Sequence, residues 1–502
     1  MTGGPLNERS TFRLDRSFTV KAGSDGTPVA VGGSPLRLWR LRPPAETVVA
    51  QLQAGASLGT IMDGLAPNRR ASARRFIELL VRRGIAHAVP IPDGTRRFDD
   101  VTIIIAVRDR AEPLGRLIDA LETVRARGAQ LIVVDDGSSD NSSSVAAAGG
   151  AIVITHTTSL GPAAARNSGA SAASARVLAF LDSDVLPIAD WLDLCLFHLD
   201  ADGVAAADLV APRIVGLADV TTDKNASVVE RYEHVRSALD LGPEPALIAP
   251  TTRVAYVPAA ALIVRADSFV AIGGFDETLH IGEDVDLLWR LHQRGDVLRY
   301  EPAATVAHEH RATVRTMLRR RFQYGTSAAV LDVHHPGQVP PAVLSPWSLA
   351  VWLPMVVHPL GFVVGGTIAA WTGERLAGRL TLLKRQDARR LAAKGHLAAL
   401  TQTADAITRP WFAITVGFAV VTRNRRLAAL FGASTVIQGW RDHRRRRPPL
   451  DPARFIAIRA LDDAAYGCGV LAGSVRAHRL GALLPKLTNW PGRSRPDEDG
   501  GS

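Results

Sequence analysis

Cysteine is nearly absent. Cys195 and Cys468 are the only two, too few for a disulfide framework and without the paired spacing of a zinc site. No zinc-finger pattern and no regular interleaving of aromatic with basic residues accompanies the net charge of +10, which argues against a nucleic-acid partner. The surplus sits instead in runs such as Arg319-Arg320-Arg321 and Arg441 with Arg444-Arg445-Arg446-Arg447. Runs of this kind suit anionic lipid or phosphate, or a solvated face. The opening MTGGPLNERS lacks the basic-then-apolar order of a signal peptide, so the chain is expected to begin in the cytoplasm.

What is present is globular in composition, 47% hydrophobic and 22% charged over 502 residues, long enough for more than one domain. Residues 12–42 read as short strands with a Gly/Asp turn at Gly23-Ser24-Asp25-Gly26. Helical periodicity follows over Pro44 to Gln53, LGTIMDGL and Arg69 to Arg83, then IAHAVPI returns as a strand. The pattern over 1–95 resembles a winged-helix-like α+β domain, in particular the precursor-peptide recognition modules that accompany enzymes modifying ribosomal peptides. That resemblance implies an extended peptide pairing along a strand edge.

Beyond the polar linker PIPDGTRRFDD, strand-like runs VTIIIAVRDR, LIVVDDGSSD, AIVITH and VLAFLDSDV alternate with helical stretches. That β-α rhythm predicts an α/β doubly wound sheet over 96–335, closing near His334-His335-Pro336-Gly337. Ligands bind beyond the carboxyl ends of strands in such sheets. Asp182 and Asp184, one residue apart at such an end, are either an ordinary turn after a strand or a carboxylate pair that seats a cation. Mg²⁺ or Mn²⁺, hard ions that also hold phosphates, are the natural guests. Further on, GEDVDLLWRL places Glu283 and Asp284 before an apolar helical run, as a positioned carboxylate base or as a helix cap.

Four stretches in order, IIIAVRDR, VVDDGSSD, GPAAARNSGA and FLDSDV, resemble the inverting nucleotide-sugar glycosyltransferases of GT-A family 2. The resemblance implies nucleotide contacts from Arg108, from Asp135 or Asp136, and from Arg166, Asn167 and Asp182. It implies metal ligation by Asp184 and Asp182, joined by His308 of TVAHEHR, with His310 as competitor. It implies Asp284 as the catalytic base, with Glu283 beside it to orient the acceptor. RRRFQYG lacks the Gln-x-x-Arg-Trp motif of processive relatives, which argues against a polymerase. A peptide-recognition-like module before this domain and an apolar region after it resemble the mycofactocin system glycosyltransferases. That implies UDP-glucose or a similar nucleotide sugar as donor, a peptide-derived acceptor and β-1,4-linked glucose. Two other readings stay open: a polyprenyl-phosphate or cell-envelope glycosyltransferase, and a catalytically silent peptide or nucleotide-sugar carrier.

Residues 336–490 are expected to form an apolar α-helical region. SLAVWLPMVVHPLGFVVGGTIAAW, 348–371, carries no formal charge and exceeds the roughly 20 residues that cross a bilayer. With the flanking arginines it predicts membrane-surface association at the cytoplasmic face, the alternative being a soluble helical domain. Residues 491–502 read as a disordered tail by composition.

Overall fold

The computed structural model describes residues 8–33, 36–200, 206–217, 225–250, 252–309 and 313–488. It has two compact units, Met1–Lys21 with Pro28–Thr313, and Ala22–Thr27 with Val314–Ser502.

The first unit is built on one nine-stranded sheet. Val101–Val107 has every residue but Ala106 buried, the mark of a strand covered on both faces. It pairs in parallel with Gln130–Asp135 on one side and with Val177–Asp182 on the other. Ile152–Thr155 extends the parallel half. Past Val177–Asp182 the sheet is mixed. Ala261–Arg265 runs antiparallel to it and to Leu209–Gly216, while Leu209–Gly216 lies parallel to Leu298–His308. The expectation of a doubly wound sheet thus holds in its first half and needs correction in its second. An apolar run such as ALIVR fixes burial, not direction. Ile103, Ile105, Val133, Leu181, Trp191, Ile214 and Val306 lie in one core cluster.

The N-terminal residues form a small α+β module within the same unit. Phe12–Leu14 pairs antiparallel with Ala86–Ala88, and a three-stranded sheet ends in Arg37–Arg40 as an outer strand. Helices Ala45–Gln53, Leu58–Asp63 and Pro67–Arg82 bury Val48, Leu52, Ile61, Ile77 and Leu80 among them. The module is fastened to the large sheet. Arg13 and Arg16 pair with Glu244 at 2.9 and 2.6 Å. A Cβ on Gly84 would sit 3.1 Å from Leu247, and Phe197 packs against the module's core. No break between compact units falls at residue 95.

The second unit is helical. The expected end of the sheet domain near 335 moves to 313, because Val314–His334 belongs with the helices. Its Gly325 faces Gly469 of Pro452–Arg476, where a Cβ would fall 2.2 Å from the Tyr466 carbonyl oxygen. Buried ion pairs hold the centre: Arg321 to Asp462 at 2.8 Å, Arg409 to Asp463 at 2.7 Å and Arg459 to Asp442 at 3.0 Å. The uncharged stretch 348–371 is not one span. Pro346–Val357 ends at His358, Pro359 cannot continue it, and a new helix runs Gly361–Arg379. Among the described residues no single helix is long and apolar enough to cross a membrane. Arg385–Thr408 and Phe412–Val421, bent by 74°, pass that test only as a pair.

Candidate active site

The site lies where the sheet changes from parallel to antiparallel, at the carboxyl end of Val177–Asp182. The strand ends when the Asp182 N–H donates to the Ala260 carbonyl at 3.0 Å. A turn through Ser183 and Asp184 then leads into Val185–Pro187, which pairs antiparallel with Leu298–His308, Val185 opposite His308. This register puts His308 Nε2 3.5 Å from Asp184 Oδ1. An imidazole and a carboxylate at that spacing suit one hard or borderline cation, whose ligand oxygens and nitrogens stand roughly 3 Å apart at bond lengths near 2.1 Å. Among the described residues no group of three His, Cys, Asp or Glu side chains gathers to hold an ion. Asp184 and His308 therefore stand as a pair, without a third such side chain beside them. His310 lies outside the described residues.

Asp182 points elsewhere. Its Oδ1 accepts from Arg166 Nη2 at 2.7 Å, while Arg166 Nη1 donates to Glu283 Oε1 at 3.0 Å. Arg166 is buried on the helix Pro162–Ala172, with Phe275 stacked 5.3 Å from its guanidinium. Burial alone would lower its pKa, but the two carboxylates win and raise it. Arg166 thus ties the end of Val177–Asp182 to the acidic helix.

That helix, Glu283–Arg294, begins after Gly282 in the left-handed region, φ 89°. Asp284 Oδ1 accepts from the Val285 N–H at 2.8 Å and Oδ2 from the Ala259 N–H at 3.3 Å. Neither bond is the N-cap expected of a purely structural acid, because Asp284 lies inside the first turn and Gly282 is the cap. Burial, and then the neighbouring Glu283 charge, push the Asp284 carboxyl from 3.8 up to about 7. Glu283 is committed to Arg166.

Four expected nucleotide residues have other partners. Asp136 accepts from His156 Nδ1, Ser159 Oγ and the N–H groups of Leu160 and Gly161, all within 2.9 Å, and so shapes the loop before the Arg166 helix. Asp135 accepts from the Ser138 N–H at 2.9 Å and from Ser143 Oγ. Asn167 clamps the GGFDE loop, exchanging bonds of 2.9 Å with both backbone groups of Phe275 and donating to Glu277. Arg108 is exposed beside Asp109 at 3.7 Å. Its near neighbour Arg110 is the one that arrives at the site, donating to Asp184 Oδ2 at 2.9 Å. Asp109, at φ 51° and held by Ser138 and Ser139, turns the chain between them. Sequence spacing does not reveal which arginine that turn favours.

"Glycosyl transferase family 2" matches residues 102–244. Two relatives, the pre-mycofactocin glycosyltransferases of Mycobacterium tuberculosis strains CDC 1551 and H37Rv, are each 38% identical over 500 residues, covering 97% of this chain and 100% of theirs. The chain belongs to the pre-mycofactocin glycosyltransferases. It is a family 2 glycosyltransferase of the mycofactocin pathway. Among solved structures it is similar to the mannosyltransferase PcManGT from Pyrobaculum calidifontis in complex with GDP-Man and Mn²⁺, at 18% identity and TM-score 0.36 over 62% of this chain and 83% of that one. It is also similar to glucosyl-3-phosphoglycerate synthase from M. tuberculosis with Mn²⁺, UDP and phosphoglyceric acid, at 18% identity and TM-score 0.32 over 47% and 78%. Scores of this size add nothing to the family assignment.

Proposed function

We propose that this glycosyltransferase moves glucose from UDP-glucose or a similar nucleotide sugar onto peptide-derived mycofactocin or its precursor. Transfer proceeds with inversion and builds a β-1,4 oligoglucose. The observation that carries the reading is the placement of Asp284 in the first turn of Glu283–Arg294, its carboxyl raised by burial and by the Glu283 charge, beside the Glu283–Arg166–Asp182 chain of ion pairs. An acceptor hydroxyl has a pKa far above 7, so a base whose own pKa lies near working pH takes its proton most effectively as attack proceeds. One base on one face of the sugar suits a single in-line displacement, which inverts the anomeric carbon.

Asp184 and His308 are the residues that would hold Mg²⁺ or Mn²⁺, which supplies charge neutralisation for a departing diphosphate. Arg110, on the other oxygen of Asp184, adds a fixed positive charge at the same end, where negative charge grows as the glycosidic bond breaks. Arg166 holds Glu283 away from the acceptor proton, leaving Asp284 as the group able to accept it. Asn167 fixes the GGFDE loop, with Gly274 at φ 71° and a Cβ there only 2.6 Å from Asn167 Oδ1; that loop would border the acceptor.

The peptide part of the acceptor suits the N-terminal module. The outer strand Arg37–Arg40 lies beside the helix Pro67–Arg82, with Trp39, Leu41, Phe76, Leu79, Leu80 and Arg83 around a small apolar depression. An extended segment added beside that strand would bury apolar side chains there. The test incubates the full chain with a panel of nucleotide sugars and peptide-derived acceptors and reads hexose mass gains. UDP-glucose is expected to give successive additions on the peptide-derived acceptor. Transfer from no nucleotide sugar, or equal transfer to a free sugar acceptor lacking the peptide part, would overturn the reading.

A further inference from the structure

Three helices of the helical unit turn small side chains inward and large apolar ones outward. Gly361–Arg379 buries Gly361, Gly365, Thr372, Gly373 and Ala377, while Phe362, Val363, Val364 and Trp371 are exposed, the first two at 64% and 68%. Glycine is what lets it lie so close to its neighbour: a Cβ on Gly361 would fall 1.8 Å from the Pro354 carbonyl oxygen, and one on Gly365 2.3 Å from that of Val351. Phe412–Val421 buries only Thr415 and exposes Phe418, Val420 and Val421. Arg425–Arg446 buries Ser434, Gln438 and Gly439 and exposes Val436, Ile437 and Trp440. In water the large apolar side chains should turn inward. Small residues at the helix contacts and large apolar ones outside is the order used where lipid is the solvent.

The two helical hairpins end side by side. Arg426, just past the second turn, donates from Nη1 to the Val357 carbonyl at the end of the first hairpin's leading helix, at 3.4 Å. The joint tip carries exposed Leu353, Val356, Val357, Leu360, Phe362 and Val363 from one hairpin and Val420 and Val421 from the other. Beside these stand Arg423, Arg425 and Arg426, all exposed. No acidic residue occurs between Asp405 and Asp442, and no Asp, Glu, Lys or Arg between Asp332 and Glu374. The tip thus combines an apolar wedge with unopposed cations. The uncharged stretches of its two long helices, Gly361 to Gly373 and Leu427 to Trp440, are each roughly 20 Å at about 1.5 Å per residue. That falls short of a hydrocarbon core about 30 Å thick.

We propose that the paired hairpin tips 353–364 and 418–426 dock the protein onto an anionic phospholipid bilayer, entering one leaflet without crossing it. The apolar side chains supply the insertion, and the three arginines meet headgroup phosphates, as in other interfacial helices. The inference stands on the helical unit and does not depend on the transfer reaction.

The test floats the full-length chain with phosphatidylcholine vesicles, with and without phosphatidylglycerol, and measures its oligomeric state without lipid. Binding is expected to need phosphatidylglycerol and to weaken with salt. The combined variant Leu360→Ser, Phe362→Ser, Val363→Ser should lose binding at least tenfold while circular dichroism and the melting transition stay unchanged. Arg423→Glu with Arg425→Glu should remove the preference for anionic vesicles. Val270→Ser, an isolated exposed apolar residue of the other unit at 71%, should leave binding as it was. The proposal fails if the folded chain does not float with anionic vesicles. It fails equally if the serine variant floats as well as the parent, or if the same substitutions abolish a stable dimer that covers the tip.

Discussion

Glu283→Gln should move the pH dependence of sugar transfer, and the direction is fixed by where the charges stand. Asp284 accepts a proton only when ionised, so activity should be present above its pKa of about 7 and fall as pH drops through that value. Burial is the largest cause of the raised value and survives the substitution; the Glu283 charge is the second and does not. At an effective dielectric near 20, a unit charge within about 10 Å is worth about 1.7 kcal/mol or more, over one pKa unit. The acid limb of the single-turnover rate should therefore shift downward by about one unit or more in Glu283→Gln. Arg166 acts on Asp284 with the opposite sign, so Arg166→Met should shift the limb upward. Rapid-quench transfer assays across pH, with donor saturating, read both limbs. Unmoved midpoints in both variants, or shifts of the same sign, would refute Asp284 as the titrating base.

Asp284→Asn should retain donor affinity by titration calorimetry yet lose transfer by roughly 10²-fold or more, the scale of a missing general base; a collapse of donor binding would make it structural instead. Asp184→Ala should lose the response to Mn²⁺ or Mg²⁺ after EDTA treatment, with the metal's effect on donor affinity vanishing in the same titrations. Arg166→Met should also cost about 2–3 kcal/mol in chemical denaturation. That is less than a fully buried ion pair because Asp182 reaches solvent, and Glu283→Gln added to it should recover part of the loss.

The strand ends were legible because each combines a buried apolar run with an abrupt acidic turn, as in VLAFLDSDV. The nearness of His308 to Asp184 comes from the register that sets His308 opposite Val185, a pairing across more than a hundred residues that no local pattern encodes. The contacts of Arg166 and Asn167 have a related cause. Both sit at the helix start where nucleotide contacts were expected, but the helix's facing turns them toward Glu283 and Phe275. A carboxylate at a strand end can serve a ligand or its own loop, and four donors of the loop bond to Asp136. The stretch 348–371 shows what composition omits. Its length fits a span, while Pro359 and the two glycines Gly361 and Gly365 fold it into a hairpin.

The central claim, a single displacement with one carboxylate base, is tested most directly by the anomeric configuration of the first product. With UDP-α-glucose and the peptide-derived acceptor, proton NMR of the purified product should show a β-linked glucose from the first turnover onward. An α-linked product would mean retention, and the assignment of Asp284 as sole base in an inverting transfer would be wrong.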